Sequence, residues 1–207
     1  MKGGRIASNV TLAVAGALWL LPYAWMTVTS LKSLEEISSD PASPLPKDPT
    51  LSAYGEVFSS VPVGKLLLNT VVMALAIAAL QILLALPAGY ALAKLRWRGR
   101  SAVMTLVLSC LLIPPQVTFV SVFAMLAPLG LINSMSSLVA PFAVSAFGTF
   151  LVRQALLAVP DEIIEAARLD GASELTIVFR ILAPLLRPTL VAMFLFSFIY
   201  HYSDYFW

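Results

Sequence analysis

The sequence predicts an all-α, polytopic membrane helix bundle. Three observations carry that prediction. Of the 207 residues, 59% are apolar and only 12% are Asp, Glu, Lys or Arg, about half the charged share of an ordinary soluble domain. The mean hydropathy is +0.89. The few charges are also spaced to leave long stretches with none. A soluble domain of this length has too little interior to hide so much apolar surface, which excludes a water-soluble enzyme. Cys110, the single cysteine, excludes an internal disulfide framework and a multi-cysteine metal site. His201, the one histidine, leaves no histidine cluster for zinc. A net charge of +2 is too small to argue for nucleic acid.

The uncharged runs set the spans in order. Residues 6–31 and 66–93 are each free of charge, and about 20 helical residues cross a bilayer core. The first run follows Lys2 and Arg5 like a secretory signal, but it is far longer than the about 7–15 residues of a signal core. Trp19, Tyr23 and Trp25 suit an aromatic belt near its far end. Residues 101–152 carry no charge, enough for two spans, about 101–127 and 134–152. The turn between them falls at Pro128, Gly130 and Asn133. A fifth span runs over about 188–207. Pro87, Pro114-Pro115 and Pro141 should kink their helices. Backbone polar groups inside hydrocarbon must pair within their own segment, so the spans are helices. The alternating pattern of a transmembrane barrel is missing.

Basic residues orient the chain. With the N-terminus in the cytoplasm, that side holds Lys2, Arg5, Lys94, Arg96, Arg98, Arg100, Arg153, Arg168, Arg180 and Arg187. The outer side keeps Lys32, Lys47 and Lys65. The external loop 32–65 carries Pro41, Pro44, Pro46 and Pro49 and is expected to start as an extended connection. Residues 153–187 form the largest cytoplasmic piece, read as helix, turn and helix. Pro160, Asp161 and Glu162 suit a first helical turn, and Asp170-Gly171 ends that helix. Ser173 caps a second helix that Pro184 and Pro188 limit. Glu165 and Arg168, three apart, are expected to pair. The first helix presents Ile163, Ile164, Ala166, Ala167 and Leu169, a low, partly apolar surface that fits either a protein-docking element or an interfacial helix.

These residues resemble the cytoplasmic signature of permease subunits from binding-protein-dependent ABC importers. That signature reads Glu-Ala-Ala, three residues, Gly, nine residues, Ile-x-Leu-Pro. Glu165, Ala166, Ala167, Gly171, Ile181 and Pro184 stand at those spacings, with Ala183 where the pattern has Leu. GYALAKLRWRGR at 89–100, PPQVTFVSVF at 114–123, PLGLINSMSSLVAPF at 128–142 and SFIYHYSDYFW at 197–207 are similar to the carbohydrate branch, nearest to the smaller permease of maltose-type systems.

The resemblance implies a type I permease fold in which the Glu-Ala-Ala helix couples to an ATPase. Glu165 would contact the ATPase, and Ala166 and Ala167 would allow close approach. Leu169 and Asp170 would complete the docking helix, Gly171 the turn, and Ile181 and Pro184 the anchorage. It implies a second permease as heterodimer partner, a cytoplasmic ABC ATPase dimer and an extracytoplasmic solute-binding protein, all working in the lipid membrane. ATP would be used by the partner, with no cofactor, metal or catalytic residue on this chain. Gly64-Lys65 lacks the upstream glycine of a phosphate loop, in keeping with a separate motor. Family members have six spans, so a sixth helix is expected beyond the five counted here.

Asn69, Gln81, Gln116, Thr118, Ser121 and Ser145 are uncharged polar residues inside spans. They suit a sugar pathway or interhelical hydrogen bonds. The alternative function is an ion-coupled secondary transporter using His201 and Asp204, three apart near the end of the last span. Their simpler reading is interfacial, at the outer membrane surface.

Overall fold

The computed structural model describes the backbone of residues 2–205 and the side chains of residues 8–205. Lys2 and Arg5 of the orientation pattern, and Phe206 and Trp207 of the fifth predicted span, lie outside the described side chains. The chain divides into two compact units, Met1–Leu66 and Leu67–Trp207.

The first unit contains α1 (Lys2–Ser30), α2 (Leu34–Ser39) and α3 (Ser52–Ser60). α1 matches the first predicted span, and none of its described apolar window is buried. Its leucines, Trp19 and Tyr23 point outward, as on a helix surrounded by lipid or by other chains. The loop after it departs from the extended connection that its prolines predict. Lys32 is buried, donating from Nζ to the Ser43 carbonyl at 2.6 Å while lying over the Trp25 ring. Glu36 is buried too, and its carboxylate accepts the Lys47 N–H at 3.0 Å. Thr50 N–H closes back on the Leu31 carbonyl at 2.8 Å, and Tyr54 donates to the Ser30 hydroxyl at 2.7 Å. The prolines rule out regular helix across residues 41–49, but side chains outside that stretch fold it onto itself.

The second unit is built on α4 (Val63–Ala93), followed by α5 (Arg100–Cys110), α6 (Pro115–Leu126), α7 (Met135–Val139) and α8 (Ala146–Leu157). Next come α9 (Asp161–Leu169), α10 (Glu174–Thr176), a π turn over Ile177–Leu182, α11 (Ala183–Leu185) and α12 (Arg187–Tyr202). Among the described residues two helices, over Ser8–Ser30 and Val63–Ala93, are long and apolar enough to cross a membrane. The count reaches five when each bent helix pair is taken as one span. α4 runs unbroken through Pro87, where the sequence predicts a kink. The Pro114-Pro115 break is sharper than a kink, with α5 and the segment beginning at α6 meeting at 101°. The turn expected around residues 128–133 is present. Gly130 and Asn133 both take left-handed backbone there, at φ 66° and 63°.

The core sits at one end of this unit. Ala85, Leu86, Tyr90 and Ala93 of α4 pack against Val152 and Leu156 of α8. Ile164 and Ala167 of α9, Ile177, Val178 and Leu182 of the π turn, and Leu186 and Met193 complete it. Gly89 lets α4 and α8 touch. A Cβ there would lie 2.7 Å from Val152 Cγ1 and 3.1 Å from the Arg153 nitrogen, closer than real side chains approach. Small residues serve this purpose wherever membrane helices cross closely. Beyond Ala93 the chain covers its own helix end. Trp97 Nε1 donates to the Ala91 carbonyl at 3.0 Å, and Arg100 reaches the Leu95 carbonyl at 3.2 Å.

Candidate functional site

α9 starts at Asp161 behind Pro160, with Asp161 and Glu162 in its first turn, where the helix dipole favours acidic groups. Its two buried residues, Ile164 and Ala167, are three apart and therefore share a face. That face seats the helix in the core. Glu165, Ala166 and Asp170 face outward, and Leu169 is 89% exposed. Ala167, expected to offer close approach to a partner, instead packs against the chain's own interior. The choice of face depends on what the helix packs on, which the local sequence does not contain.

The turn follows glycine chemistry. Gly171 has φ +79° with open space around its Cα, a conformation that costs a side-chain-bearing residue about 1–2 kcal/mol. Gly171 N–H donates to the Arg168 carbonyl and Ala172 N–H to the Ala167 carbonyl, both at 3.0 Å. This is the paired bonding that closes a helix on a left-handed residue. Ser173 Oγ then accepts the Thr176 N–H at 3.3 Å and starts α10, as the sequence predicts.

Tyr90 of α4 and Lys94, which directly follows that helix, hold this hairpin. Lys94 Nζ pairs with Asp161 Oδ1 and donates to the Val159 carbonyl at 2.6 Å. The Tyr90 hydroxyl donates to Glu174 Oε2 and accepts from Arg168 Nη2 at 3.0 Å. Arg168 Nε also donates to Glu174 Oε1 at 2.9 Å. Thus Arg168 spans the turn to Glu174, where the sequence predicted a pairing with Glu165. A partner supplied by the folded turn displaces the one on the same helix.

The charges respond accordingly. The hydrogen bond from Lys94, and then its charge, hold the Asp161 carboxyl below its ordinary range. The Glu174 carboxyl is lowered by hydrogen bonds from Arg168 first and Tyr90 second. Glu174 in turn raises the Arg168 guanidinium.

Ile181 is half-buried against the core. Pro184 is exposed and contributes at the start of α11 rather than by packing. The polar span residues divide. Gln81 is buried, donating to the Phe142 carbonyl at 2.8 Å and lying 3.4 Å from His201 Nε2. Both line a cavity of about 690 Å³ with Phe142, Phe147, Ser197 and Tyr200. Asn69 lines a second cavity of about 480 Å³ with Phe119, Phe123 and Ser134. Gln116 and Ser121 are exposed, Thr118 Oγ1 donates to the Pro115 carbonyl at 2.8 Å, and none of the three lines either cavity. Ser145 accepts the Gly148 N–H at 3.0 Å and so caps α8. His201 is buried against Gln81 and Phe142. The roles of Tyr90 and Lys94 are not legible in the sequence because their partners on the hairpin lie 65 to 84 positions away.

Residues 81–207 match the family described as the binding-protein-dependent transport system inner membrane component. The chain belongs to this family. It is a permease subunit of an ABC importer, carried in the inner membrane, with ATP hydrolysis on a separate subunit. The chain is 32% identical to the sn-glycerol-3-phosphate transport system permease protein UgpE of Pectobacterium atrosepticum, over all of this chain and 75% of that one. Identity to the UgpE protein of Agrobacterium fabrum is 30%, over 98% and 74% of the two chains. For the Yersinia pestis protein of the same name it is 36%, over 72% of this chain and 53% of that one. The fold is similar to a chain in the crystal structure of a bacterial ABC transporter involved in the import of the acidic polysaccharide alginate. That similarity has a TM-score of 0.82 at 27% identity, covering 98% of this chain and 71% of that chain. An ABC permease has its energy supplied by a separate ATPase, which sets aside the ion-coupled reading of His201 and Asp204.

Proposed function

We propose that this permease subunit serves a sugar-class importer and docks a cytoplasmic ATPase dimer through α9. The observation that carries the docking reading is the two-sidedness of α9. Ile164 and Ala167 fix it to the bundle, while Glu165, Ala166, Leu169 and Asp170 stay exposed beside a stiff glycine turn. An exposed leucine flanked by a small residue and two carboxylates offers an apolar knob with a polar rim, the usual make-up of a docking patch. On this reading the N-terminus and residues 153–187 are cytoplasmic. A second permease and an external solute-binding protein complete the assembly. ATP is consumed by the partner, and this chain binds no cofactor.

For the solute, Gln81 and Asn69 are the pathway residues that the cavities favour. Neither cavity has a lysine or arginine in its lining, which suits a neutral hydroxylated solute. The names of the relatives favour a second reading, a glycerol phosphate. Thermal-shift screening of the cognate binding protein against sugars, polyols and sn-glycerol 3-phosphate separates the two. A shift with sugars alone supports the first, and a shift with the phosphate alone overturns it. For docking, a cysteine at Leu169 is expected to crosslink to the ATPase subunit, whereas one at Ala167 stays unreactive. No adduct at Leu169 or Ala166 under any nucleotide condition defeats the assignment.

A further inference from the structure

α9 is gripped twice by the same helix. Tyr90 lies in the last turn of α4 and Lys94 follows directly after the helix, its N–H bonded to the Tyr90 carbonyl at 2.9 Å, so the two project from one face. Their partners on α9, Asp161 and Arg168, are seven residues apart, about two turns or roughly 10 Å along that helix. Lys94 holds the beginning of α9 through Asp161 and the Val159 carbonyl. Tyr90 holds its end through Arg168 and also reaches across the glycine turn to Glu174. The Lys94 side chain is itself 8% exposed, so this ammonium is largely withdrawn from water and depends on these two partners.

Apolar contacts are non-directional, and the seat formed by Ile164 and Ala167 tolerates sliding and pivoting. Directed hydrogen bonds at both ends of a helix fix its register and its azimuth. We propose that Tyr90 and Lys94 are positioning residues that clamp α9 to α4 at both ends, so that displacement of α9 by the ATPase reaches the membrane helix as a rigid movement instead of being lost in pivoting. The proposal rests on the docking reading of α9. It assigns to the region before the signature a role in the same coupling step. The clamp touches neither ATP nor solute.

The test uses the whole complex in proteoliposomes, with partner permease, ATPase, binding protein and the solute identified by thermal shift. Solute moved per ATP hydrolysed is the quantity to read, because a merely structural role lowers uptake and hydrolysis together and leaves their ratio alone. Tyr90→Phe removes one hydroxyl, and Lys94→Met keeps the stem and removes the charge. Each single variant should lower the ratio about 3-fold and the double variant about 10-fold, the range expected for residues that modulate coupling. Hydrolysis should stay within about two-fold and co-purification of the ATPase should be unchanged. An unchanged ratio in the assembled double variant overturns the clamp. Should that variant fail to assemble, Glu174→Gln, which keeps the shape and removes the charge facing Arg168, decides on the same ratio. A wild-type complex with no ATP-driven uptake overturns the docking reading and the clamp with it. An intact wild-type ratio that no variant changes defeats the clamp alone.

Discussion

Within the second unit, the end formed by α9 and the α4 terminus differs from the middle formed by α5, α6 and α7. The first is a packed core crossed by polar grips. In the second, α6 and α7 have no buried residue, and α5 has one, Met104. Val120 and Met125 of α6 are 73% and 70% exposed. The same chain therefore holds a region that carries its own stability and another whose apolar surface is satisfied by lipid or other chains. The signature residues sit in the first. A docking element must resist the force applied to it, which explains why the hairpin is tied to the best-packed part of the fold.

The contrast can be broken by substitution. Gly89→Val should have the largest effect, because the added carbons meet Val152 and the backbone of Arg153. About 3 kcal/mol is expected, read as a lower melting temperature in detergent and less protein in the membrane. Ile177→Ala, in the core of the packed end, should cost about 2–3 kcal/mol by cavity formation. Val120→Ala on α6 should leave the melting curve within about 0.5 kcal/mol of wild type. Equal losses from the two would erase the distinction between the regions. Gly171→Val isolates backbone strain, since nothing surrounds that Cα, and about 1–2 kcal/mol is expected. A loss of uptake per ATP in that variant, with the membrane level intact, would extend the contrast from stability to coupling.

Acid gives the smallest effect. Glu174 is held below its ordinary value of 4.5, so the folded state favours its charged form. Its contribution is fully present above about pH 4.5 and fades as pH falls through the lowered folded value. Asp161 behaves in the same direction. The difference in melting temperature between wild type and Glu174→Gln should thus stay constant from pH 8 to about 5.5 and shrink below about 4.5. A fall beginning near neutrality would assign the sensitivity elsewhere.

Much of this was legible in the sequence, and the limits follow a physical line. Uncharged runs located α1 and α4, because the cost of burying charge in hydrocarbon is independent of tertiary contacts. Gly171 and Ser173 were legible because turns and caps are closed by neighbours. The inward facing of Ala167 was not, since an alanine-rich helix looks much the same on several faces. The Gln81–His201 contact joins residues 120 positions apart, while the Arg168–Glu174 bond and the Lys32 burial needed the intervening turn and loop to be folded first. Proline behaved unevenly for a related reason. Pro87 sits in a helix that neighbours support on both sides, whereas Pro114-Pro115 lies where no buried residue holds the chain straight.

The π turn over Ile177–Leu182 bears on what evolution can change here. Each residue added to or removed from a helix turns everything beyond it by about 100°. α12 presents Met193, Ser197 and His201, each four apart, to the interior. The number of residues between Gly171 and the 85° bend ahead of α12 therefore sets the angle at which the chain enters that bend. Point changes at exposed positions such as Leu175 and Leu185 leave that setting alone. A single deletion changes it, which no side-chain substitution does.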